Sequence, residues 1–271
     1  MDCKEVMNNK VTPLIKRSET ERLKTEGSGK MLDEDKPRNR NSGPPIFNAP
    51  TIVVWTIGAL ALSYIVLSLV NSPAVYKLER VAAVMPLRFL AGPESSGGVL
   101  GLLAPLFTHM LLHADLMHIG FNSIWLLAFG TPVARRLGAG AGRGILPASL
   151  FISFFALSGA AGALMYIAFN LKSTVLLVGA SGGVFGLLGG LVRILVSRRS
   201  HFAKDPGHLV PLTDNRILIW SAVIIAVNFL MAFPGIGLMP GANSQIAWEA
   251  HLGGYLFGLL SFSLFDRLSR K

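Results

Sequence analysis

The sequence predicts an all-α membrane protein: a bundle of six transmembrane helices with a partly helical outer loop between the first and second. Three observations predict it. Apolar runs of spanning length recur six times. Lysine and arginine gather in alternate connections between those runs. Isolated polar residues, chiefly His118, Asn122, Ser181 and His251, interrupt stretches that would otherwise face hydrocarbon. With 51% hydrophobic and 15% charged residues, the chain is composed like a polytopic membrane protein rather than a soluble domain.

In chain order, residues 1–49 mix charges of both signs with Ser, Thr, Asn and Pro and lack the apolar core of a signal peptide. They read as a disordered cytoplasmic tail, with one short helical turn around Ser18 to Lys24, ahead of a membrane domain at 50–271. Cys3 is the only cysteine, so no intrachain disulfide can form. The helices are expected at Thr51–Val70, Leu116–Ala134, Ile145–Phe169, Leu176–Val196, Ile217–Phe233 and Ile246–Phe265. Arg135, Arg136 and Arg143 follow the second; Arg198, Arg199, Lys204 and Arg216 follow the fourth; Arg267, Arg270 and Lys271 follow the sixth. The other connections are poor in positive charge, so both termini are expected on the cytoplasmic side. Basic residues in short runs beside apolar stretches point to membrane orientation, not to nucleic acid.

The stretch from Asn71 to His113 is too apolar for a free linker. Ser72-Pro73 reads as an N-cap with a first-turn proline, and Val75, Leu78, Ala82 and Met85 then recur at helical spacing. It reads either as a compact loop lying in the outer interface or as an ordinary ordered loop outside it.

The polar residues share a depth. Ser181 precedes Arg198 by 17 residues, His118 precedes Arg135 by 17, and His251 precedes Arg267 by 16. At 1.5 Å per residue they lie roughly 24–26 Å above the inner boundary of a core about 30 Å thick. Gly182, Gly186 and Gly190 form one row at every fourth position, and Gly254 and Gly258 form a second. Such rows let helix backbones approach closely in lipid, which would bring His251 to Ser181. A serine and a histidine that meet suggest a nucleophile and its base. His118 and Asn122, at i and i+4 on one face, offer two donors to a common point; they suit an oxyanion, or serve as interhelical hydrogen-bonding groups. His109 and His113 read as interfacial groups near the mouth. With His118 they could be argued as a zinc site, but the HExxH spacing is absent. Glu249, two residues from His251, points to another face, and Asn228 reads as a packing or gating group.

Taken together, His118-x-x-x-Asn122, Gly179-x-Ser181-Gly182 and Ala250-His251-x-x-Gly254-x-x-x-Gly258 resemble the rhomboid family of intramembrane serine proteases, in its six-helix bacterial form. The resemblance covers roughly Pro50 to the C-terminus. It implies a Ser181–His251 dyad without an acidic third member, and an oxyanion site from His118, Asn122 and the Ser181 N–H. It implies that Gly179 keeps the approach to Ser181 slim, and that Phe185 packs on the base where the family often has tyrosine. Implied substrates are transmembrane proteins cut near the outer face of a bacterial plasma membrane. The bilayer is the other partner, and no cofactor is implied. One departure stands out: Leu103-Ala104-Pro105-Leu106 occupies the stretch where many members carry a Trp-Arg pair. The competing readings are a non-proteolytic client-binding protein of the same fold, and a proton-coupled transporter. The lack of an inverted repeat counts against the transporter.

Overall fold

The structure, a computed structural model, describes residues 49–70, 72–139, 144–198, 208–231 and 246–270. The N-terminal tail and the loop from Pro234 to Gln245 lie outside the described residues. Long helices form where the apolar runs stand: α1 (Thr51–Leu69), then, after the loop, α6 (Leu116–Arg136), α7 (Ile145–Phe169), α8 (Ser181–Arg198), α9 (Asn215–Leu230) and α10 (Trp248–Leu268). Four of them, α1, α6, α7 and α8, are long and apolar enough to cross a membrane. α10 has the length but carries Glu249, His251 and Asp266. It can do so because it packs chiefly against α7 and α8 rather than facing lipid.

The loop is built of short helices: α2 (Pro73–Ala82), α3 (Pro86–Ala91), α4 (Gly98–Leu103) and α5 (Pro105–Thr108). Ser72 caps α2, its hydroxyl accepting from the Val75 N–H at 3.4 Å, with Pro73 in the first turn. The apolar face of α2 does not bury itself in the bundle, since Leu78 is 55% exposed. The loop is instead fixed by its ends. Thr108 Oγ1 donates to the Ala82 carbonyl at 2.8 Å, and Val84 pairs antiparallel with Leu177 through two backbone hydrogen bonds.

That pairing explains one difference from the sequence expectation. The fourth helix begins at Ser181, not at Leu176. Leu177 spends its N–H and C=O on Val84, and Gly179 sits at φ +111°, a left-handed conformation that no helix contains. Residues 176–178 are therefore non-helical, 179 and 180 form a bend, and Ser181 opens the helix.

α8 is the centre of the bundle, in contact with α6, α7 and α10. Its glycines make this possible. A Cβ on Gly254 would run into the Gly182 carbonyl, and one on Gly258 into the Gly186 carbonyl. A Cβ on Gly162 of α7 would lie 2.5 Å from the Ala250 carbonyl. Below these contacts Phe154 meets Phe262 and Phe265 edge-on, at centroid distances of 5.7 and 5.0 Å. At the far end Asp266, 3% exposed, accepts from Arg136 Nε at 2.6 Å and from Arg270 Nη2 at 2.7 Å. α9 lies outside this packed set and touches α8 and α10 only thinly.

Gly258→Leu should destabilise the protein by about 3 kcal/mol or more, since the new side chain meets backbone that cannot yield. Gly58→Leu is the control, because nothing lies within 4 Å of a Cβ there. Thermal unfolding in detergent should fall sharply for the first and hardly change for the second.

Candidate active site

Four of the helices bring their polar residues to one end of the bundle. Ser181 is the first residue of α8, and His251 lies in the first turn of α10. Ser181 Oγ and His251 Nε2 are 2.8 Å apart, a hydrogen bond between residues 70 apart in sequence. Phe185, one turn into α8, lies flat on the imidazole, with centroids 4.2 Å apart and planes 8° apart. The ring therefore has one face closed by an aromatic and one edge committed to the serine.

α6 supplies the opposite wall. Asp115 caps it, accepting from the His118 N–H at 2.8 Å. His118 Nδ1 accepts from the Ala114 N–H at 3.4 Å, which leaves Nε2 as the nitrogen that carries the proton. Nε2 points at Gly179: a Cβ there would lie 2.5 Å from it and 3.8 Å from Asn122 Nδ2. Asn122 is 5% exposed, and its Nδ2 has no hydrogen-bond partner among the described residues. Two N–H donors thus converge on the backbone two residues before Ser181. An unpaired buried amide is costly unless something fills the position it addresses.

His109 and His113 differ from the interfacial reading. His109 is 2% exposed; its Nδ1 is 2.8 Å from the Pro105 carbonyl, and its own carbonyl accepts from the Gly179 N–H at 2.9 Å. It is a core group that fixes the loop against the strand leading to Ser181. Burial pushes its pKa down to about 4. His113 meets His118 edge-on at 5.1 Å, and its ring nitrogens are buried. It borders a cavity of about 310 Å³ that Glu79, Tyr64 and Ser68 also line. Burial, and the His118 imidazole beside it, lower the His113 pKa to about 4 as well.

Glu249 turns away from the site and accepts from Asn170 Nδ2 at 3.1 Å. The residue that sequence reasoning undervalued is Asn228 on α9. Its Oδ1 is 2.9 Å from His251 Nδ1, and its Nδ2 donates to the Trp248 carbonyl at 2.9 Å.

A family model described as the Rhomboid domain matches residues 100–267, which contain His118, Asn122, Ser181, Phe185, Asn228 and His251. The chain belongs to the rhomboid family. Similar proteins include rhomboid protease GlpG of Serratia proteamaculans, 29% identical over 206 residues, covering 76% of this chain and 60% of that one. Rhomboid protease GluP of Bacillus subtilis is 28% identical over 156 residues, 58% of this chain and 25% of that one. Rhomboid-related protein 2 of Mus musculus is 28% identical over 174 residues, 60% and 50% of the two chains. This chain thus spans a quarter to three fifths of the length of these relatives. Rhomboid membership and the apolar helices make it a multi-pass integral membrane protein.

His109 gives the fold a defined response to acid. It is neutral when folded and takes up a proton on unfolding at any pH between about 4 and the ordinary histidine value of 6.5. The unfolded chain then binds more protons, so stability falls as pH falls through that window. Unfolding midpoints in detergent should drop from pH 6.5 to 4, with a shallower slope in His109→Gln.

Proposed function

We propose that the chain is an intramembrane serine protease that hydrolyses peptide bonds in or near the transmembrane segments of other membrane proteins. The observation that carries this reading is the 2.8 Å approach of Ser181 Oγ to His251 Nε2 beneath a stacked Phe185. Ser181 Oγ attacks the scissile carbonyl carbon while its proton passes to His251 Nε2. The tetrahedral intermediate collapses to an acyl-enzyme as His251 gives that proton to the leaving amine. A water, deprotonated by His251, then releases the acid.

The developing oxyanion is met by the Ser181 N–H, His118 Nε2–H and Asn122 Nδ2. Support for this comes from the convergence of both α6 donors on Gly179 and from the unpartnered amide of Asn122. The N-terminus of α8, with its unpaired N–H groups, adds positive potential at the same place. We place the route of water for deacylation at the cavity beside His113, whose lining includes Glu79 and Ser68. The placement of lysine and arginine supports cytoplasmic termini with residues 1–49 as a cytoplasmic tail, and the likeness to bacterial rhomboid proteases supports a bacterial plasma membrane.

The test is reaction with a fluorophosphonate probe and cleavage of a single-span substrate in proteoliposomes. Ser181→Ala should lose the adduct, and both Ser181→Ala and His251→Ala should lower cleavage by about 10³-fold or more while still inserting. Cleavage by Ser181→Ala at the wild-type rate would overturn the reading and favour a client-binding role. Asn122→Ala should lower kcat by about 10²-fold with little change in KM, as expected for a donor that acts on the transition state.

A further inference from the structure

The geometry points to Asn228 as a positioning residue that fixes the tautomer and the plane of the His251 ring, a role that rests on the protease reading above. The orientation of its amide is not free. The Trp248 carbonyl can only accept, so the Asn228 atom 2.9 Å from it is the NH₂ group, which donates. The amide oxygen must then face His251 Nδ1, 2.9 Å away. An amide oxygen can only accept, so Nδ1 carries the ring proton. Nε2 is left bare, and it is the nitrogen 2.8 Å from Ser181 Oγ. One backbone carbonyl on α10 therefore dictates, through two atoms of Asn228, which imidazole nitrogen can take the serine proton.

The same residue fixes the ring in space. Phe185 restrains the plane of the imidazole but does not prevent a half-turn about the Cβ–Cγ bond, which leaves that plane unchanged. The hydrogen bond at Nδ1 stops that rotation. Asn228 is 5% exposed, although α9 presents Val227, Phe229 and Leu230 outward at 47–48%. The apolar helix thus turns one buried polar side chain inward at the site, on its face toward α10. One of its other ties to α10 is the 2.7 Å hydrogen bond between Ser221 and Tyr255, two turns away on the same face. Because α9 packs thinly, its seating on α10 and the orientation of the base are held by the same amide.

Substitution separates the two functions of the amide. Asn228→Asp keeps an acceptor for Nδ1–H but loses the donor to the Trp248 carbonyl, and sets a carboxylate oxygen against it. Asn228→Leu is similar in size and loses both. If the acceptor matters, Asp should retain most of the fluorophosphonate labelling rate, within about fivefold of wild type. Leu should lose roughly 10²-fold in labelling and in kcat, with KM within about twofold. Added to His251→Ala, Asn228→Leu should cost nothing further, because the two act as one unit. Thermal unfolding in detergent reports whether each variant is folded.

If Asp is as slow as Leu, or if Leu labels at the wild-type rate, Asn228 is an interhelical tie and the proposal is overturned. If wild type itself fails to react at Ser181, the protease reading fails instead, so the two failures are distinct.

Discussion

The site depends on the backbone contact between α8 and α10. In lipid there is no gain from hiding one apolar helix against another, so association needs close packing. At two points of that packing no side chain intervenes: Gly254 lies against the Gly182 carbonyl, and Gly258 against the Gly186 carbonyl. Two such contacts one turn apart set both the separation and the register of the helices. Ser181 immediately precedes the first glycine of one row, and His251 precedes the first of the other by three residues. The register that seats the glycines is therefore the one that brings hydroxyl and imidazole together. Gly162 extends the same device to α7 and closes a three-helix set around the site.

The proposed chemistry also needs a place for the reacting group, and the backbone before Ser181 supplies it. Gly179 carries no side chain where His118 and Asn122 point, and its positive φ turns the strand into the helix. His109 ties its carbonyl to the Gly179 N–H and its ring to Pro105, so the loop and the strand are held as one piece. The outer loop, which carries no Trp-Arg pair at residues 103–106, has anchors of its own. These are the Thr108–Ala82 hydrogen bond and the Val84–Leu177 pairing.

Much of this was legible in the sequence. Runs of about twenty apolar residues set the helices, and the count from the basic ends placed His118, Ser181 and His251 in one layer. The glycine rows named the helices that meet. What the sequence concealed followed from contacts between distant segments. The first turn of the fourth run is extended because Leu177 is spoken for by Val84, 93 positions earlier. His109 and His113 look alike as loop histidines, yet one is a core pin and the other borders a cavity. Asn228 gives no such signal: counting from Arg216 yields only twelve residues, about 18 Å at the helical rise, short of the layer of the others. Only the position of α9 in space brings the amide to the ring.

The cluster of Asp266 with Arg136 and Arg270 stands at the opposite end of the bundle from any chemistry, yet it bears on alignment. It joins the last turns of α6 and α10, so the arm that carries the two N–H donors and the arm that carries the base share one pivot. From Arg136 to His118 is eighteen residues. At 1.5 Å each, an angular error of about 5° at that joint shifts the donors by about 2 Å. A hydrogen bond tolerates only a few tenths of an ångström. The fidelity of the site is in this sense a matter of leverage, and a carboxylate at the other end of the bundle from Ser181 is one of the parts that keeps it true.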